Sequence, residues 1–148
     1  STLRIEMGHV AGSELDGRTI PYDNSLEGLV SKKKDFIGKR SLNRTAFVAE
    51  DRQKVVGVVP IDKKTSIPEG SHLVKDAKAK LPNPKLGHVS ASCWSVEYNN
   101  PFSLAILHDG KNMIGQKLFA LSPLKNKSIP VEIVSSHYVD PKGERVRS

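Results

Sequence analysis

From Gln53 onward the chain repeats one pattern six times: a short apolar or alternating run, then a turn. The runs are QKVVGVVP (53–60), SHLVKD (71–76), GHVSASCWS (87–95), PFSLAILHD (101–109), QKLFALS (116–122) and IPVEIVSSHYV (129–139). IPEG, DGKN and PLKNKS between them are turn chemistry, rich in Gly, Pro, Asp and Asn. β-Branched residues and period-two alternation inside the runs point to strands, not helices. Six antiparallel strands this short suit a small closed barrel or a sandwich.

GHVSASCWS holds a histidine, the sole cysteine and the sole tryptophan, and so invites a nucleophile reading. Its spelling argues for a strand instead. His88, Ser90, Ser92 and Trp94 alternate with Val89, Ala91, Cys93 and Ser95. Small residues on both sides let a sheet curve tightly or let another surface approach closely. Cys93 then reads as a small packed hydrophobe rather than a thiolate.

The first 47 residues have another texture. Leu3 and Met7 lie four apart, on one face of a helix that Gly8 stops. SELDGRTIPYDN is turn material. SLEGLV (25–30) reads as a short strand. Asp35 is a candidate N-cap for a helix from about Gly38 to Thr45, with Leu42 and Phe47 turned toward a core.

Bulk properties exclude several classes. With 148 residues the chain has room for one core, and a mean hydropathy of −0.38 with 37% hydrophobic residues is that of a globular protein, not a disordered one. The apolar runs are far shorter than the ~20 residues that span a bilayer. One cysteine allows no internal disulfide, so a reducing, cytoplasmic setting is expected. The chain opens inside what reads as the end of a helix, with neither an initiator Met nor a signal peptide, and is read as a piece of a longer protein. A net charge of +7 attracts anionic ligands and acidic partners. Aromatics are only 5% and do not interleave with the basic clusters, which makes nucleic acid an unlikely partner.

Motifs for catalysis are sparse. No two of His9, His72, His88, His108 and His137 stand three to five apart and no Cys-x-x-Cys occurs, so no metal site and no catalytic residue is assigned. Phosphate-cradling loops and the hydrolase elbow are missing too. What remains is Arg4 and Glu6. Two apart on a helix, they point in different directions, so one can meet a ligand while the other ties down the helix end. A guanidinium is a planar fork suited to carboxylate.

Taken together, several blocks resemble the glycine-cleavage T-protein (aminomethyltransferase) family over nearly the whole chain. LRIEMGHVAG matches its Leu-Arg-x-Glu-x-Gly pattern, DFIGKR its Asp-Phe-Ile-Gly-Lys, and GHVSASCWS with PFSLAIL its Gly-His-Val block. The ending HYVDPKGER is most similar to the branch of sarcosine oxidase α-subunits. The pattern departs at Gly28, where the family has an aromatic residue, at Val96, where it favours proline, and at Ala91, where it has a hydroxyl.

The resemblance implies a mainly β fold, a six-stranded antiparallel barrel (48–148) preceded by a short α+β segment (1–47) that ends a folate-binding subdomain. It implies that the chain is the C-terminal fragment of a folate-dependent enzyme, in which a one-carbon unit from an oxidised N-methyl amine passes to tetrahydrofolate. Arg4 and Glu6 would be cofactor-binding residues of a partial tetrahydrofolate site. FAD or FMN and NAD would sit in other parts of the assembly. A flavoprotein β-subunit and further subunits would be partners, and the fragment alone would be inactive. The alternatives are a barrel that only docks subunits, or a basic barrel that binds nucleic acid.

Overall fold

The computed structural model describes residues 2–78, 85–145 and 147, so the outermost ends of the two expected segments, positions 1 and 148, lie outside the described residues. Six antiparallel strands close into a barrel: β1 Lys54–Pro60, β2 His72–Val74, β3 Gly87–Ser95, β4 Asn100–Leu107, β5 Lys117–Ser122 and β6 Lys127–Val134. Their order around the ring is β1-β4-β3-β2-β5-β6, and β1 pairs with both β4 and β6. Of the barrel and the sandwich that the turn rhythm leaves open, the observed fold is the barrel, as the resemblance implies. Closure gives every strand two neighbours in the ring, which guards a small all-β chain against edge-to-edge aggregation.

Alternation along each strand fills the interior. Val56, Val58, Leu73, Val89, Ala105, Leu107, Leu118, Ala120, Ile129, Val131 and Ile133 form one buried cluster. Met113, from the helix α3 (Gly110–Met113), and Ile67, from the β1–β2 connection, complete it. The opposite face of β1, β3 and β4 is covered as well. Val55, Val59, Ala91, Phe102 and Leu104 pack with Ile5 of the helix α1 (Thr2–Glu6) and with Tyr138 from the C-terminal tail. The Tyr138 ring stacks on Phe102 at 4.3 Å. Burying both faces explains why β4 reads as a nearly continuous apolar run. Phe102, Leu104 and Ile106 do share a face, and that face is the outside of the barrel.

β3 runs over Gly87–Ser95 as predicted, but its alternation breaks. A bulge between Val89 and Ala91 leaves Ser90 without a cross-strand partner. His88 pairs opposite Ile106, Ala91 opposite Leu104 and Cys93 opposite Phe102, which puts all three on the outer face. Ser92 turns inward and its hydroxyl meets that of Ser103 at 2.9 Å. α1 rests on β3, and the small outer residues are what let it come close.

β6 stops at Val134, short of the predicted Val139. Its continuation bends away and passes over Gly57 and Gly8. A Cβ at Gly8 would sit 2.6 Å from the Ser136 carbonyl oxygen, and its φ of +69° suits glycine as well. The tail is then fastened by Val139, whose N–H donates to the Glu6 carbonyl at 3.1 Å.

The segment ahead of the barrel departs most from expectation. SLEGLV is no strand; Glu27–Leu29 is a single 3-10 turn. The helix expected over 38–45 lies later and is shorter: a 3-10 turn at Ser41–Asn43, then α2 (Thr45–Val48). Arg44, not Asp35, precedes α2, and Asp35 makes only a 3.7 Å contact with Lys39. Leu42 and Phe47 are half-buried rather than core, and no residue from 31 to 50 is buried. In α1 the buried residues are Ile5 and Glu6, whereas Leu3 is 76% exposed, so the Leu3–Met7 face is not the packed one.

Candidate functional site

α1 is only five residues long, and the backbone turn at Gly8 ends it. His9 N–H donates back to the Arg4 carbonyl at 2.9 Å, and the chain doubles over so that the His9 carbonyl faces the Arg4 side chain. Arg4 Nη1 donates to that carbonyl at 2.9 Å and to Glu14 Oε2 at 3.3 Å. Both contacts use Nη1; Nε and Nη2 have no partner among the described residues. The Arg4 side chain is 31% exposed, while that of Glu14 is fully buried. A guanidinium with Nε and Nη2 unengaged keeps the pair of donors with which arginine binds carboxylates in the two-point fashion.

Glu6 points the other way, as the two-residue spacing requires. It is 4% exposed, and its Oε1 accepts the Val96 N–H at 2.9 Å. The Glu6 carbonyl holds the C-terminal tail through Val139, as described above. One residue of the sequence-assigned pair thus meets solvent, and the other locks the helix onto the β3–β4 hairpin and the tail.

Two acidic residues that the sequence reading passed over hold the neighbourhood together. Glu14 Oε2 also accepts the Ala11 N–H at 2.9 Å, and Ser13 Oγ approaches Oε1 at 3.5 Å. Burial works to raise the pKa of Glu14. The Ser90 hydroxyl, the Ala11 N–H and the Arg4 guanidinium outweigh it and hold the carboxyl below its ordinary range. Asp23, 3% exposed, forms a two-point pair with Arg52, Nε to Oδ1 at 2.8 Å and Nη2 to Oδ2 at 2.5 Å, and accepts the Ile20 N–H at 3.1 Å. Arg52 also donates to the Ala46 carbonyl at 2.8 Å and lies over the Phe47 ring. Both carboxylates sit in a stretch that reads only as turn, and their partners are distant in sequence. The Glu14–Ala11 spacing is a helix-start pattern, but Ala11 has no hydroxyl to mark it.

Beside Glu14 opens a cleft of about 740 Å³. The turn around Ser13–Thr19 forms one wall, the stretch from Ala46 to Gln53 another, and Lys85–His88 with Ile106 and His108 the barrel side. Its charges are mixed. His88 is held below its ordinary pKa by burial and then by Lys85 and His72, so it is largely neutral at pH 7. His108 Nδ1 lies 2.6 Å from the Asp51 carbonyl and is a structural tether. Among the described residues no group of three or more His, Cys, Asp or Glu is placed to hold a metal. Cys93 is half-buried, and burial together with Glu6 pushes its thiol up to about 11, which suits packing and not nucleophilic attack. Among the described residues no helix is long and apolar enough to cross a membrane.

The chain is 38% identical over 148 residues, 99% of its length, to sarcosine oxidase subunit alpha of Rhizobium meliloti (strain 1021). It is 37% identical over 146 residues, 97% of its length, to the same subunit of Corynebacterium sp. (strain U-96). It spans 15% of the length of each. No family model matches the chain. Among solved structures, glycine cleavage system aminomethyltransferase T from Bartonella henselae shares the fold, with a TM-score of 0.72 at 20% identity over 94% of this chain and 37% of that one.

Proposed function

Starting from the homology of this chain to a stretch of the sarcosine oxidase α-subunit, we propose that it forms one wall of a tetrahydrofolate site completed by the rest of a longer polypeptide. In that reading a one-carbon unit taken from an N-methyl amine is passed to tetrahydrofolate, with the oxidation done by a flavin elsewhere in the assembly. Residues 1–47 end the folate-facing subdomain and 48–148 are the barrel that supports it. The assembly is cytoplasmic, includes a flavoprotein β-subunit, and carries its FAD or FMN and NAD outside this stretch.

The observation that carries the reading is the open edge of Arg4. Folate ends in carboxylates, and Nε with Nη2 of a half-exposed arginine is a matched receptor for one of them. Glu6 serves the same site from behind, by fixing the helix that presents Arg4. The cleft beside Glu14, which neither Arg4 nor Glu6 lines, has the volume of small-molecule sites. In this reading the part of the stretch is binding and orientation.

The test is Arg4→Ala in the full-length polypeptide. Losing a charge-assisted pair of about 1.5–3 kcal/mol weakens tetrahydrofolate roughly 10- to 100-fold. Unchanged affinity removes Arg4 from the site. Titrating tetrahydrofolate into the purified 148-residue chain gives weak binding or none, and a tight, saturable complex would show that the remaining polypeptide is not required.

A further inference from the structure

We infer that Glu14 is the positioning residue of this site, clamping Arg4 through Nη1 so that its Nε–Nη2 edge is presented to the ligand carboxylate. The inference rests on the folate reading above. Four features of the structure carry it. Glu14 is 1% exposed, so its charge is there for a partner inside the protein and not for solvent. Its carboxylate is itself fixed, by the Ala11 N–H at 2.9 Å and the Ser13 hydroxyl at 3.5 Å. It meets Arg4 at a single nitrogen, 3.3 Å away, and the second acceptor on that nitrogen is the His9 carbonyl at 2.9 Å. Two acceptors on Nη1 fix the plane of the guanidinium and leave the other edge open.

A buried carboxylate that took both Nη2 and Nε would close the arginine off. A carboxylate that took nothing would leave a four-bond side chain free to rotate, and its ordering would then weigh against ligand binding. Engagement at one nitrogen avoids both.

The experiment has two arms. In the 148-residue chain, the Arg4 Nε–Hε resonance, assigned with Arg4→Lys, reports side-chain order. It is resolved in the wild type and collapses by exchange in Glu14→Gln, whose melting curve, with that of Glu14→Asp, confirms folding. In the full-length polypeptide, Glu14→Gln weakens tetrahydrofolate five- to tenfold, leaves 6-methyltetrahydropterin (which has no carboxylate) unchanged, and adds nothing to Arg4→Ala. Equal losses for both probes, or additivity with Arg4→Ala, would mean a merely structural role and would overturn the proposal. Should the full-length wild type bind neither probe, the folate reading fails on its own. The Arg4 resonance then decides the Glu14 clamp, and an unaltered resonance in Glu14→Gln overturns it.

Discussion

The barrel and the segment that leads into it are held by different physics. The barrel is a closed ladder of backbone hydrogen bonds around a largely apolar interior. Residues 2–53 contain no strand and bury few apolar side chains, chiefly Ile5 and Ile20. Polar tethers do the rest: Glu6 to Val96, Glu14 to Arg4, Asp23 to Arg52, and the Asp51 carbonyl to His108. Redundancy is what separates them. A ladder spreads its stability over many equivalent contacts, whereas a tethered segment loses its place when one buried charge loses its partner.

The comparison breaks if a barrel core substitution acts locally. Leu107→Ala, at a fully buried position inside the ring, costs about 2–5 kcal/mol and lowers the single denaturation midpoint seen by every probe. Arg52→Met comes next. It strands the buried Asp23 carboxylate at a cost of about 2–3 kcal/mol, felt in one region. Hydrogen exchange then speeds up over 18–24 and 46–53 while the barrel amides stay protected. Loss of barrel protection in that variant would mean that the two regions form one cooperative unit.

Acid gives a smaller and graded effect. Glu14 has a folded-state pKa below its ordinary value, so the stability it contributes is complete above about pH 5 and lost as the pH falls through the lowered value. A denaturation series between pH 6 and 3 shows that loss in wild type, and the part due to Glu14 is absent in Glu14→Gln. The smallest effect is expected at Ile37, fully exposed in the segment where nothing is buried. Ile37→Ser changes stability by less than about 0.5 kcal/mol in the same denaturation assay.

The two regions were unequally legible in the sequence for the same reason. Strands advertise themselves through alternation and turns, and all six were placed, with GHVSASCWS correct to the residue. The bulge at Ser90 was not, because an inserted residue leaves the local spelling unchanged and shows only against the partner strand. SLEGLV and the 38–45 helix were misread because short elements in a tethered segment follow their long-range partners more than their own propensities. Arg4 and Glu6 came from spacing and family pattern. Glu14, Asp23 and Arg52 escaped because their pairings span 10 and 29 residues and carry no local signature.

The position of β1 also bears on how the protein is made. β1, the first of the six strands in chain order, is flanked by the fourth and the sixth, with Gly57 opposite Val134. Half of its hydrogen-bonding capacity therefore waits until β6 has been synthesised. During translation the nascent sheet has an open seam, and a chaperone or a premature neighbour could occupy it.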